Sequence, residues 1–249
     1  MIAIAQYCQE LLKPEEFDDA SYNGLQVEGR DDVHRVAWTV TASAACLNKA
    51  ATLQADLVCA HHGIFWKGQS PLVRGGMRKR LQVLLEHNMN LLAYHLPLDA
   101  HQTLGNNAVM AQRLGLVDRT AWGRYHGRTI GAAGRFPQPR PVKEVEQLIE
   151  HLVGRSVLHL EGGPTAIERV ALVSGSAASM ALEAARDGFD LFLTGEPSEA
   201  ATHVAAEEGI HIIAAGHHAT EVFGVRALAE HLGAHFDLEI LSCDIPGPV

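Results

Sequence analysis

The chain has 249 residues, 47% of them hydrophobic and 20% charged, which is enough apolar material for one large domain or two smaller ones. Its formal charge of −9 disfavours a broad nucleic-acid surface, and no apolar run approaches the ~20 residues needed to cross a bilayer as a helix. Cys8, Cys46, Cys59 and Cys243 are scattered without a CxxC pair, and the N-terminus has no basic leader. Four small buried hydrophobes in a reducing cytoplasm are therefore expected, rather than a disulfide framework in a secreted protein.

Residues 1–13 form a short amphipathic pattern that stops near Pro14. Tyr22-Asn23-Gly24-Leu25-Gln26 reads as a turn into extended chain. Val33–Ala42 alternates and is rich in β-formers, so it predicts a strand. Ser43 is placed to cap an Ala-rich helix over 44–55. A short buried strand over 56–60 ends at His61-His62-Gly63. Gly75-Gly76 precede a helix over 77–88, and a strand over 90–94 ends at His95, with a helix over 106–114 beyond it. Residues 118–165, punctuated by Gly123, Gly127, Gly131, Gly134, Pro137, Pro139 and Pro141, break this rhythm. They predict a small inserted segment with strands near 128–135 and 156–160 around a helix over 142–152. The rhythm then resumes: strand 168–174, helix 176–187, strand 190–194, helix 198–208, strand 210–215, helix 220–232 and strand 236–242.

The two rhythmic stretches share more than their order. Asn90–Asp99 and Ile212–Glu221 are each an apolar run with a His followed four residues later by an acid, His95 with Asp99 and His217 with Glu221. Upstream, Val36-Ala37 falls on Val170-Ala171 and Asp56-Leu57 on Asp190-Leu191. The pattern predicts an α/β fold of two similar βαβ-rich halves, with mostly parallel sheets and a site at the strand C-terminal ends between the halves. The segments are 1–117, 118–165 and 166–249.

Fifteen histidines are many for this length, but count alone marks no site. Most, such as His34, His159, His211 and His231, are expected on the surface or satisfied in the core. Placement singles out His61, His62, His95 and His217, since imidazoles and carboxylates gathered at strand ends are what a divalent ion needs. Asp99 follows an apolar Leu96-Pro97-Leu98 lead-in, a poor setting for a merely solvated acid. Gly216 permits a turn after His217's strand, and Thr220 is placed to cap the helix that carries Glu221. His218 is an alternative to His217, but the repeat aligns His217 with His95. Glu196 stands where the first stretch has His62; it is either a general base or a charge at a helix start. His101, two residues past Asp99, can orient a ligand or move a proton. Lys67, Arg74, Arg78, Lys79 and Arg80 are either a solvated helix face or a cradle for phosphates. There is no GxxxxGK[ST], GxSxG or HExxH.

At this point the residues resemble a family. The pieces are Asn23-Gly24-Leu25-Gln26-Val27-Glu28-Gly29, His61-His62-Gly63 with Phe65-Trp66-Lys67-Gly68, and His95-Leu96-Pro97-Leu98-Asp99-Ala100-His101 with Gly105-Asn106-Asn107. Thr194-Gly195-Glu196 and Gly216-His217-His218-Ala219-Thr220-Glu221 complete them. Together they look like the GTP cyclohydrolase I type 2 family, also called NGG-interacting-factor-like, over nearly the whole chain and in its short bacterial form. The resemblance implies a centre of two divalent ions (Zn, Mn, Fe, Co or Ni) with His61, His62, Asp99, His217 and Glu221 as ligands. Glu196, His95 and His101 are left as candidate catalytic groups. It also implies a homohexameric ring.

Two classes of function follow. One is a metal-dependent hydrolase of a nucleotide or related heterocycle, GTP among them, with phosphoester hydrolysis as a close variant. The other is a non-catalytic metal-binding scaffold or interaction protein. Open coordination positions distinguish the first from the second. Neither reading calls for a membrane or a nucleic-acid partner.

Overall fold

The computed structural model describes residues 1–248 and divides into two compact units. The first comprises Met1–Leu98 and Gly224–Ile245; the second comprises Asp99–Phe223 with residues 246–248.

The first unit opens with helix α1 (Ile2–Leu12), which buries Ile4, Cys8 and Leu12 at helical spacing. Strands β1 (Gly24–Val27), β2 (Arg35–Thr41), β3 (Leu57–His62) and β4 (Asn90–Ala93) follow, with helix α2 (Ala44–Thr52) between β2 and β3 and α3 (Gly75–Glu86) between β3 and β4. Ser43 caps α2 as expected, its side chain accepting the Cys46 N–H. The one-turn helix α4 (Leu96–Asp99) ends the unit's first segment at Leu98.

Helix α5 (Asn106–Arg113), strands β5 (Val117–Tyr125) and β6 (Arg128–Pro141), helix α6 (Val142–Val153) and strand β7 (Leu158–Leu160) begin the second unit. Strand β8 (Ala166–Val173), helix α7 (Ala181–Arg186), strand β9 (Leu191–Thr194), helix α8 (Glu199–Glu208) and strand β10 (His211–Ala214) continue it. Helix α9 (His217–Phe236) starts in the second unit and passes into the first at Gly224, and strand β11 (Glu239–Ser242) belongs to the first.

Each unit carries one sheet. The first has the order β1-β4-β3-β2-β11, parallel throughout except for the β1–β4 pair. The second has the order β5-β6-β8-β9-β10-β7. Only β8–β9 and β9–β10 are parallel there, so this sheet is mixed rather than mostly parallel. The internal repeat is plain in the topology. In each unit three sequential parallel strands lie side by side, and an earlier antiparallel strand flanks the third, β1 beside β4 and β7 beside β10.

Residues 118–165 form no separate insertion. Val117–Tyr125, unassigned by the sequence pattern, is an edge strand, and β6 seats that hairpin on β8. α6 buries Val145 and Ile149 in the core that also holds Met110, Leu172 and Ile213. The first unit packs Leu47, Val58, Leu84 and Leu91 around its own sheet. Fully burying such a side chain contributes about 1.5–3 kcal/mol, so each unit has its own apolar drive. Cys8, Cys46, Cys59 and Cys243 are free and buried, and burial pushes the Cys8 and Cys243 thiols up to about 12. Among the described residues, no helix is long and apolar enough to cross a membrane.

Candidate metal centre

In the first unit β3 delivers His61 and His62, and the end of β4 delivers His95. The three imidazoles converge: each can offer a ring nitrogen within 4.8 Å of the other two. Ring centroids lie 4.7 Å apart for His61–His62, 5.1 Å for His61–His95 and 5.5 Å for His62–His95. The Trp66 indole meets His95 edge-on at 5.1 Å.

Their hydrogen bonds fix their orientation. His61 is fully buried, and its Nδ1 lies 3.0 Å from the Tyr94 carbonyl oxygen. A carbonyl only accepts, so Nδ1 carries the proton in the neutral ring and Nε2 carries the lone pair. His62 Nδ1 lies 3.0 Å from Thr41 Oγ1, which sits opposite it across the β2–β3 ladder. His95 Nδ1 donates to Asp19 Oδ1 at 2.8 Å. Burial alone would raise the Asp19 carboxyl. The His95 ring, the Asn23 amide and the Ser21 N–H outweigh burial and hold it at about 2, so it is an ionised carboxylate behind His95.

The Asn-Gly-Leu-Gln segment builds the wall behind this cluster. Asn23 Nδ2 donates to Asp19 Oδ2, and Asn23 Oδ1 accepts the His95 N–H at 2.7 Å. Gln26 Oε1 accepts the Ile64 and Phe65 N–H groups. A Cβ on Gly63 would lie 2.3 Å from that same Gln26 oxygen. Gly63 is therefore needed for close approach of the Gln26 amide, not for a left-handed turn.

In the second unit the donors are carboxylate-rich. Asp99 is buried, and its Oδ1 accepts from Asn106 Nδ2 at 2.8 Å and from Ser174 Oγ at 3.1 Å. His217 opens α9 and Glu221 lies one turn on, with Nε2 of His217 3.2 Å from Glu221 Oε1. The other ring nitrogen, Nδ1, lies 2.5 Å from Glu196 Oε1. The Glu221 hydrogen bond raises the His217 ring, burial opposes it, and Glu196 adds to the rise; the result is about 9. Thr220 is no cap. It lies within the first turn of α9, where its hydroxyl reaches the Gly216 and His217 carbonyls and accepts the Gly175 N–H.

Glycines hold these groups close. Gly175 has φ +68°, and a Cβ there would lie 2.5 Å from Glu221 Oε1. Gly195 packs against the His217 backbone, where a Cβ would come within 2.8 Å of Cα.

The structure thus places each residue singled out by the sequence. His61, His62 and His95 form one cluster, and His217, Glu221 and Glu196 form another, while Asp99 is oriented by Asn106 and Ser174. The acid on His95 is Asp19, so the His-then-acid repeat does not mean one pairing twice. His101 Nδ1 accepts the Thr103 and Leu104 N–H groups, which ties that ring to its own loop. Arg74, Arg78 and Lys79 are exposed on or beside α3. Asp19 escaped the sequence reading because Asp18 beside it is the same residue type and is 77% exposed in its side chain. The only available signal was its position four residues before Asn23.

The donor set suits a divalent ion: imidazole nitrogens with fixed tautomers stand with carboxylates held by neighbouring donors. Comparison with known proteins gives the family. The profile of the Duf34/NIF3 (NGG1p interacting factor 3) family matches residues 1–248. An Escherichia coli K12 protein named GTP cyclohydrolase 1 type 2 homolog is 45% identical over 246 residues, 98% of each chain. The solved structure of protein ybgI, of unknown function, superposes with a TM-score of 0.92 at 44% identity, covering 100% of this chain and 99% of that one. A solved Thermus thermophilus protein gives a TM-score of 0.91 at 41% identity with the same coverage. The chain therefore belongs to the Duf34/NIF3 (NGG1p interacting factor 3) family.

Proposed function

We propose that this protein is a hydrolase dependent on two divalent ions, with His61, His62, Asp99, His217 and Glu221 as the ligands and a nucleotide or related heterocycle as substrate. The observation that carries the reading is His61. It is a fully buried imidazole whose Nδ1 is spent on the Tyr94 carbonyl, inside a cluster of three histidines. Ligating histidines are oriented in this way by a donor bond from their second nitrogen. Glu196 does the same for His217 through Nδ1. The relatives' name supports a purine nucleotide, GTP, as the first substrate to try.

Bound divalent ions supply Lewis acidity toward a carbonyl, ring or phosphoryl centre. The chain's residues supply positioning and proton movement. Asp19 accepts the Nδ1 proton of His95 and so turns its Nε2 lone pair toward the cluster, where His95 accepts a proton and returns it. Trp66 at its edge limits where that ring points. Asn106 and Ser174 hold the Asp99 carboxylate in one rotamer. A homohexameric ring is part of the same proposal and rests on the family resemblance alone; light scattering checks it.

The test is chelator-stripped protein reloaded with Mn, Zn, Fe, Co or Ni, incubated with a nucleotide panel and followed by mass spectrometry. Metal-dependent conversion of a nucleotide supports the hydrolase. Stoichiometric metal without turnover of any member supports the scaffold reading instead.

A further inference from the structure

The second unit contains a cavity of about 530 Å³ beside Glu196 that none of the roles above uses. It is lined by Gly195 and Glu196, which follow β9, and by Gly216, the residue before His217. Val157, Leu158 and Pro197 add apolar lining, and Arg155 and Ser156 add polar lining. The volume falls in the range of small-molecule sites, well above what a bare ion needs.

Two details show that Arg155 is built into this place. Gly216 has φ +100°, and a Cβ there would lie 2.8 Å from Arg155 Nη1 and 3.2 Å from its Cδ, so the arginine lies directly against the glycine backbone. Its Nη2 donates to the Pro248 carbonyl at 3.0 Å. That bond aims the guanidinium without neutralising it, and among the described residues no carboxylate pairs with Arg155. The cavity's own carboxylate, Glu196, is already engaged by the His217 ring at 2.5 Å. Among the described residues the cavity therefore carries a cation without a carboxylate partner, with a planar fork of donors, the geometry that matches an oxyanion, next to apolar residues that match a ring.

We infer that this cavity binds the phosphate of a ring-bearing phosphate monoester through Arg155, with the ring against Val157, Leu158 and Pro197. The inference deepens the hydrolase reading by naming the substrate class and the residue that recognises its charged end. It places the phosphate's holder among the residues that also position His217, so the bound molecule lies beside Glu196.

The experiment titrates GMP, guanosine and inorganic phosphate into full-length, chelator-treated protein by calorimetry, with amide NMR of residues 155–158 and 195–197 to locate the binding. GMP should bind roughly 10–100-fold more tightly than guanosine, the worth of a charge-assisted hydrogen bond. Arg155→Gln should remove that difference, and Arg155→Lys should keep part of it. Arg155 is exposed, so both variants should fold, and circular dichroism verifies this. Equal affinity for GMP and guanosine, an unchanged GMP affinity in Arg155→Gln, shifts confined to other residues, or no binding of GMP or phosphate at millimolar concentration would each overturn the inference. Metal content separates it from the reading it rests on. Arg155→Gln that still loads metal but loses GMP binding supports the phosphate site, whereas wild type that binds GMP but never loads metal refutes only the metal reading.

Discussion

The two donor clusters solve one problem with opposite electrostatics. In the first unit three imidazoles converge, and a buried carboxylate, Asp19, stands behind one of them, His95. In the second unit one imidazole is held between two carboxylates, and its proton is retained up to about 9. The first cluster presents a lone pair already exposed by tautomer choice, as at His61. The second presents charge: His217 holds its proton against Glu221, so a divalent ion held by these two residues would have to compete with that proton. A histidine-rich cluster and a carboxylate-rich cluster built on the same strand order show that a repeated backbone does not fix its chemistry; the side chains behind the ligands do.

The largest effect should come from removing a proposed ligand. His61→Ala and Asp99→Ala should each lose at least one bound metal per chain while retaining the native circular dichroism spectrum, as measured by elemental analysis. Retention of full metal content in both would leave the comparison without a functional meaning.

Next comes the residue behind His217. Glu196→Gln keeps a hydrogen-bonding group on Nδ1 but removes its charge, so metal affinity should fall about 10–100-fold and still saturate at excess metal. Turnover measured at saturation should fall roughly 10²–10⁴-fold if Glu196 also takes a proton from the attacking water. Metal loss that no excess restores would make Glu196 a ligand, and unchanged affinity and rate would reduce it to a charge near a helix start.

The carboxylate behind His95 should show in acid. Asp19 is held at about 2 against an ordinary 3.8, so its contribution of about 2 kcal/mol is complete above about pH 4 and is lost as pH falls through 2. Wild type should therefore exceed Asp19→Asn in urea-unfolding stability at pH 5, with the gap closing toward pH 2. A gap independent of pH would contradict the assignment.

The smallest effect is the mirror image at His217. Its raised value stabilises the metal-free protein fully below about pH 6.5, and that stabilisation is lost as pH rises through about 9. The Tm of metal-free wild type should fall relative to His217→Gln across that window; parallel curves would refute it.

Much of this architecture was legible from local chemistry. The periodicities placed α1, β2, β3, β4 and β8–β10 within a few residues, and Ser43 announced its helix through its own cap. The residues of the two clusters stood out as imidazoles and acids at strand ends. What was hidden depends on distant chain. β5 is an edge strand with almost every side chain exposed, so it has no inward alternation to read. β11 pairs with β2 across some two hundred residues, a partner no local pattern names. Thr220 reads as a cap until Gly175, far upstream, supplies the N–H that its oxygen accepts. Asp19 and Arg155 look like ordinary surface charges until β4 brings His95 to one and Gly216 opens space for the other.

The central claim, that the two clusters hold metal, is tested most directly by inductively coupled plasma mass spectrometry on chelator-stripped protein reloaded with excess Mn or Zn and then desalted. The account predicts a stoichiometry near two ions per chain, as expected of a two-metal hydrolase centre, and a stoichiometry near zero would contradict it.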